Sequence, residues 1–531
     1  MDLSRREVLG IGGAGVLLAS APKALSGTGP ARPRAPALPD WMMRDIRLAK
    51  ARFAEWKGND ETLVFPTVSD IHAGTTTLKD PPNWSDALVH QYALDEAAKA
   101  FVADFVADLG DIGIDRNRVT WKDEPLEFGK AVLDCQKRVY DTFSTPALHL
   151  VGNHDLGNVL WHHSSDHYFR TFNAPLTGLP GFLYGGDGYG RWDFPQKMTR
   201  VVFLNTSEMN VGNTGGAHWV GMTRKQVDFL DRSLAELGRG WTAVILSHAN
   251  LHPYLGLWRT ETVSRGSVGF ADALDVLKRH AGAGRIRLAG VIAGHSHLDA
   301  DVKEDGVQHV IVQSYGLNGP DHLRPMYRYN RVNTAKSMLV DVVAVKPYRS
   351  QMKIFRIGCG GEACDRSFPS RCHGAKAFSA SGASVRIVSA SYPKPLVFRL
   401  APGDFAHAEP ATSWTRDGVR FVWIDNAAHD VEDSQNDFFR SEAAKGEGVV
   451  LLLAKPFFMP GMSEADAPCA NPASSRKHEW RTHAFRESVF LYTPNVLGVF
   501  APATGRSFVA ADNGRYQYAF ERGMALDVAI N

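Results

Sequence analysis

Gly152-Asn153-His154-Asp155 stands directly after the apolar run Ala147 to Val151, and Gly294-His295-Ser296-His297 stands directly after Ile286 to Ala293. Three more stretches repeat this arrangement. Leu63 to Ser69 leads into Asp70-Ile71-His72, Phe105 to Leu109 into Gly110-Asp111, and Ala243 to Leu246 into Ser247-His248. Each run has the length and apolar character of a buried strand and stops at a polar group. In layered α/β folds the loops at the carboxyl ends of strands converge on one crevice, so five such loops can share a site despite their separation in sequence.

Between them the five stretches supply three carboxylates, one amide oxygen and five imidazoles. That mixture suits a pair of divalent metals of borderline hardness. An isolated His or Asp after a strand is usually a surface or capping residue. Finding so many of them at strand ends in one chain favours a metal site over that bland alternative.

Asp-x-His, Gly-Asp, Gly-Asn-His-Asp, a lone His after a strand and Gly-His-x-His, in that order, resemble the motifs of the calcineurin-like metallophosphoesterases. The resemblance covers roughly residues 60–369 and implies a four-layer αββα sandwich. It also implies two metal ions, Fe, Mn or Zn, bridged by Asp111. Asp70, His72 and His297 would complete one site, and Asn153, His248 and His295 the other. The chemistry it implies is hydrolysis of a phosphomonoester or phosphodiester by a metal-bridging hydroxide. His154 would stabilise the leaving oxygen, with Asp155 holding its orientation. The second acid of the family's Gly-Asp-x-x-Asp pattern is displaced by one residue, to Asp115. Ile114 and His72 stand where purple acid phosphatases carry Tyr and Gly, which speaks against that subgroup.

Two alternatives belong to other classes. One is an exported, non-catalytic module that holds a phosphate ligand or the cell envelope; the retained His154, which only catalysis requires, argues against it. The other is a 5'-nucleotidase-like enzyme, disfavoured because Asp155 replaces a Glu.

The chain has 531 residues, enough for two to four domains, and its 59 basic against 57 acidic side chains give no nucleic-acid signal. Residues 1–26 resemble a twin-arginine export signal. Arg5-Arg6 precede a weakly apolar run from Val8 to Leu18, too short for the ~20 residues that span a bilayer. The expected partners are therefore the twin-arginine machinery during export and a small phosphoester in a periplasmic or extracellular setting, with no transmembrane helix in the mature chain. Of five cysteines, Cys359, Cys364 and Cys372 cluster; without a CxxC spacing, a disulfide or free thiols is favoured over zinc.

Further along, Thr223-Arg224-Lys225-Gln226 is a capping-box pattern leading a helix with Val227, Leu230, Leu234 and Leu237 on one face. Leu156 to Asp193 is expected as a long aromatic loop that either forms part of the substrate wall or is packed down by its own aromatics. Residues 27–59 read as linker and lead-in, 370–383 as a second linker, and 384–531 as a C-terminal α/β accessory domain. This last region aligns in pattern with the core. Arg200 to Asn205 matches Arg420 to Asp425, Gln226 to Phe229 matches Gln435 to Phe438, and Gly290 to Ala293 matches Gly498 to Ala501. On that register His248 falls on Ala454, His295 on Ala503, His297 on Gly505 and Asn153 on Pro402. A degenerate, metal-free second copy and a chance likeness between two βα units both remain open.

Overall fold

The computed structural model describes residues 37–73, 84–113, 126–158, 161–208, 220–252, 267–268, 270–296, 300–312, 339–349, 351–358, 365–368, 383–387, 396–427, 431–456, 485, 489, 493, 495–503, 508–512, 515–523 and 525–530. The expected export signal, His297, Ile114, Asp115 and the cluster of Cys359, Cys364 and Cys372 lie outside the described residues.

Two sheets form the centre of the core. The first has the order β17-β16-β15-β1-β2-β3, built from β1 (Leu63–Val68), β2 (Val106–Asp108), β3 (Ala147–His149), β15 (Leu339–Lys346), β16 (Gln351–Gly358) and β17 (Arg366–Phe368). The second has the order β13-β14-β12-β10-β8-β7-β6. Its strands are β6 (Phe182–Gly186), β7 (Tyr189–Phe194), β8 (Thr199–Leu204), β10 (Thr242–Ser247), β12 (Arg287–Ala293), β13 (Ala300–Glu304) and β14 (Val307–Ile311). Two-residue ribbons join β4 (Gly157–Asn158) to β5 (Trp161–His162) and β9 (Met222–Thr223) to β11 (Ser267–Val268).

Alternation of side chains decides the layers. Leu63 and Phe65 of β1 turn inward with Phe105 and Ala107, meeting Val201, Phe203, Val244 and Leu246 of the facing sheet. Val64 and Val68 turn outward, under Met42, Ile46, Ala49 and Phe53 of α1 (Asp40–Lys57) and Leu94, Ala97 and Ala98 of α2 (Trp84–Phe101). Helix α3 (Leu126–Tyr140) adds Val132 and Leu133 to this layer, and α4 (Ser165–Asn173) adds Tyr168 and Phe172. On the far side, Val202, Ile245 and Val291 pack against α5 (Arg224–Ala235) and α6 (Phe270–Ala283). The result is an αββα sandwich whose fully buried Leu, Ile, Val and Phe side chains each contribute about 1.5–3 kcal/mol.

Several local expectations are sharpened or corrected. Pro66 sits within β1 opposite Val342 of β15, and the ladder to β2 starts only after it, at Thr67. Thr223 caps α5, its side chain accepting from Gln226 N–H. Asp40–Lys57, expected as lead-in, is an 18-residue helix. Its apolar face is what the outer side of the sheet needs for burial. The strand β17 pairs with β16 and forms the edge of that sheet. Leu156 to Asp193 is not one loop: α4, capped by Ser164, and the β6–β7 hairpin occupy much of it. There Phe169 stacks on Tyr184 at 3.6 Å and, with Tyr168, is buried, so these two rings pack the segment down.

The C-terminal region is an α/β unit. Strands β18 (Ala383–Ile387), β26 (Leu526–Ile530) and β19 (Leu396–Leu400) form one sheet. The other has the order β20-β21-β22-β23-β25-β24, from β20 (Ala411–Arg416), β21 (Val419–Ile424), β22 (Gly448–Leu453), β23 (Val496–Ala503), β24 (Phe508–Asp512) and β25 (Arg515–Glu521). Helix α7 (Asp433–Ala443) covers its outer face through Phe439. This sheet matches β7-β8-β10-β12-β14-β13 strand for strand: antiparallel, then three parallel pairs, then antiparallel. Even the ladder irregularity recurs, at Ala243/Val244 and at Val449/Val450.

Candidate metal centre

The loops after β1, β2, β3, β10 and β12 converge at the carboxyl ends of the two central sheets, as the strand directions require. Their mutual approach depends on glycine. A Cβ on Gly152 would lie 2.1 Å from Asp111 N, and one on Gly294 would lie 1.6 Å from Ser69 Oγ. Only a residue without a side chain lets these loops touch.

Asp70, His72, Asp111 and His295 have φ of 55°, 44°, 57° and 64°, a left-handed conformation uncommon for residues with a Cβ. Such backbone costs about 1–3 kcal/mol per residue and persists where the surroundings over-determine it. Here the loops bond to one another. Asp70 N–H donates to Gly110 O (2.9 Å), His72 N–H to Asp111 O (2.9 Å) and Gly294 N–H to His248 O (2.9 Å). His295 N–H donates to the Asp70 carboxylate (2.8 Å).

Two buried clusters result, Asp70–His72–Asp111 and Asp111–His248–His295, with Asp111 common to both. Asp111 Oδ2 lies 3.6 Å from His72 Nε2 and 3.4 Å from His248 Nε2. Buried and without a hydrogen bond of its own, it fits a carboxylate shared by two cations. His248 Nδ1 faces Leu109 O at 2.9 Å, which fixes the proton there and leaves the Nε2 lone pair for a metal. Asn153 Oδ1 and His295 Nδ1 stand 2.9 and 3.2 Å from that Nε2. His154 is buried, its ring centroid 5.2 Å from His72, and its backbone N–H donates to Asp111 Oδ1 (2.8 Å).

Electrostatics follow from this packing. Burial opposes ionisation of Asp111, but His248, His154 and His72 hold its carboxyl well below the usual range. Burial likewise opposes a charge on His248, yet Asp111, Asp70 and Asp155 push it up to about 9. Cations arriving at such a site displace protons.

Asp155 holds loops together. Its Oδ2 accepts from Asp111 N–H (2.8 Å) and Gly152 N–H (2.9 Å), and its Oδ1 from Gly113 N–H (3.1 Å). Burial, then the Asp111 charge, raise its pKa to about 7. Sequence reasoning passed over a further group beneath the site. Asp108 accepts from Tyr140 OH and from Gly110 N–H (3.1 Å), and its Oδ2 lies 4.0 Å from His149 Nδ1. Burial raises Asp108 to about 8 and lowers His149 to about 3, so both are neutral near pH 7. The available signal was an acid and an imidazole inside runs otherwise read as apolar.

No family model matches the sequence, and no curated protein matches it. Among solved structures, a dimetal phosphatase from Danio rerio aligns at 17% identity over 57% of this chain and 98% of its own, with a TM-score of 0.41. A structure of PhoD aligns at 12% over 56% and 66%, TM-score 0.34. A purple acid phosphatase from yellow lupin (Lupinus luteus) aligns at 11% over 56% and 52%, TM-score 0.33. Likenesses this remote assign neither activity nor substrate. The layered sheets and the position of the two clusters define the class by themselves: the fold resembles that of the calcineurin-like metallophosphoesterases, with an additional C-terminal unit. The Asp/His clusters form the dinuclear divalent-metal site of a metal-dependent phosphoesterase. Among the described residues no helix is long and apolar enough to cross a membrane.

Proposed function

We propose that this chain is an exported phosphoesterase that hydrolyses a small phosphomonoester or phosphodiester. The observation that carries the activity is Asp111, buried at the junction of both clusters with Oδ2 unbonded and aimed between His72 and His248. Asp70, His72 and Asp111 would hold one cation and Asp111, Asn153, His248 and His295 the other, with His297 as a further ligand of the first. Bound there, two such ions would polarise phosphoryl oxygens and lower the pKa of an attacking water.

The chain's own residues supply the rest. Asp155 locks the Asp111 and Gly152 loops in register, so the ligand atoms are positioned before substrate arrives. His154, beside His72 and tied through its backbone to Asp111, presents an imidazole for a hydrogen bond or proton to the leaving oxygen. Export rests on Arg5-Arg6 and the short apolar run behind them.

The test is side-by-side hydrolysis of an aryl phosphate monoester and the matching diester by protein reconstituted with Mn or Fe/Zn. Turnover of either supports the activity, and the ratio assigns the ester class. Two bound metals with no turnover of either would favour a binding module instead. Fractionation of cells carrying the wild type and an Arg5→Lys, Arg6→Lys variant tests export; equal cytoplasmic retention of both would refute it.

A further inference from the structure

The C-terminal unit has the same strand order and directions as the half of the core that delivers His248 and His295, yet its corresponding positions are Ala454 and Ala503. Its glutamine staple is repeated as well. Gln226 Nε2 donates to Asn205 O (3.0 Å), and Gln435 Nε2 donates to Asp425 O (2.8 Å). What occupies the place of the metals is a cavity of about 440 Å3, within the size range of small-molecule sites. It opens at the carboxyl ends of β21, β22, β23 and β25, and Pro402 and Ala454, the positions matching Asn153 and His248, line it.

The lining is specific in character. Half-buried Phe405 supplies the accessible aromatic surface, in edge contact at 5.0 Å with the buried Phe520, and buried Trp423 also lines the cavity. His407 lies beside the Trp423 ring at 5.6 Å. Trp423 is 3% exposed, and its Nε1, like His407 Nε2, has no hydrogen-bond partner. Leaving such groups unmade costs about 1–3 kcal/mol each, and both atoms are buried behind the cavity wall rather than presented to it. At the mouth stand exposed Asp425 and Arg522, one of each sign.

We propose that this cavity binds a neutral, hydroxyl-bearing ring such as a pyranose unit of a carbohydrate. A donor fork (Arg522), an acceptor (Asp425) and the His407 imidazole, which takes either role, are satisfied together by hydroxyl groups, which both donate and accept. The paired charges at the mouth favour neither anion nor cation. The half-buried Phe405 ring suits the C–H face of a sugar ring. The emptied second site is thus a recognition pocket, separate from the phosphoesterase centre and independent of its activity.

The experiment is ligand-observed saturation-transfer NMR on the full, metal-reconstituted chain. The probes are methyl glycosides of glucose, galactose, mannose and N-acetylglucosamine, with benzoate and phenyl phosphonate as anionic controls. At least one glycoside should bind in the millimolar range. Asp425→Asn and Arg522→Gln should each weaken it about tenfold, the scale of one hydrogen bond to a charged group. Ala427→Trp, which fills the mouth from an exposed position, should abolish binding while melting temperature and aryl phosphate hydrolysis stay at wild-type values. Absence of binding by every glycoside, binding unchanged by Ala427→Trp, or binding of the anions alone would overturn the proposal.

Discussion

Replacing Gly152 by alanine tests how the site is assembled. The added Cβ would lie 2.1 Å from Asp111 N, 2.2 Å from Asp111 Oδ1 and 2.9 Å from Asp111 Cα. Two of these are backbone atoms and cannot rotate aside. Restoring a contact of about 3.5 Å requires the two loops to part by roughly 1.4 Å. That shift breaks the hydrogen bonds from Asp111 N–H and Gly113 N–H to Asp155 and from His154 N–H to Asp111, and it moves the carboxylate both clusters share. A 1 Å misplacement costs about 100-fold in rate, and overpacking of this kind costs about 1–3 kcal/mol of stability. Metal content by mass spectrometry, aryl phosphate turnover and thermal melting should show less than two metals per chain, at least a 100-fold loss of rate and a melting point lower by a few degrees. Gly178→Ala, where a Cβ meets nothing within 4 Å, is the control and should match the wild type. Full metal content with undiminished turnover in Gly152→Ala would refute the account of how Asp111 is held.

His154→Ala should keep both metals and lose about 100- to 10,000-fold in turnover, the contribution of a positioned general acid; unchanged turnover would remove its role. Asp111→Ala should lose both metals and all activity, measured in the same two assays. Arg356 and Asp341, both fully buried, pair across β15 and β16 through two hydrogen bonds of 2.6 and 2.9 Å. Arg356→Met should cost about 3–5 kcal/mol in urea unfolding by stranding a buried charge, and adding Asp341→Leu should recover much of it. His90 is buried against Leu339 O, and burial lowers it from 6.5 to about 4. The unfolded chain takes up that proton below pH 6.5 and the folded chain does not. Stability present above pH 6.5 should therefore fall by about 3 kcal/mol as the pH drops toward 4, and His90→Gln should flatten that part of the profile.

The strands before the candidate ligands were legible because each combines an apolar run with an abrupt polar stop. That pattern is local and survives without any knowledge of partners. The helix over Asp40–Lys57 was missed because its apolar residues, Met42, Ile46, Ala49 and Phe53, gain meaning only from the outer face of the sheet they cover. Asp108 and His149 were hidden inside runs taken as apolar, since a polar residue in a strand declares its role only through what lies across from it. The likeness between the core and residues 384–531 was visible as scattered matches, and the repeated ladder irregularity gives it a structural counterpart.

The sequence by itself determined which residue types could hold metals and where each strand delivers them, because ligand chemistry and strand periodicity are properties of short segments. Only the tertiary structure decided how closely the ligand loops approach Asp111, that Asp155 binds three backbone N–H groups, and that the corresponding end of the C-terminal sheet is a cavity. Those facts depend on which loops face one another across the sheets, and contact between segments far apart in sequence has no local signature.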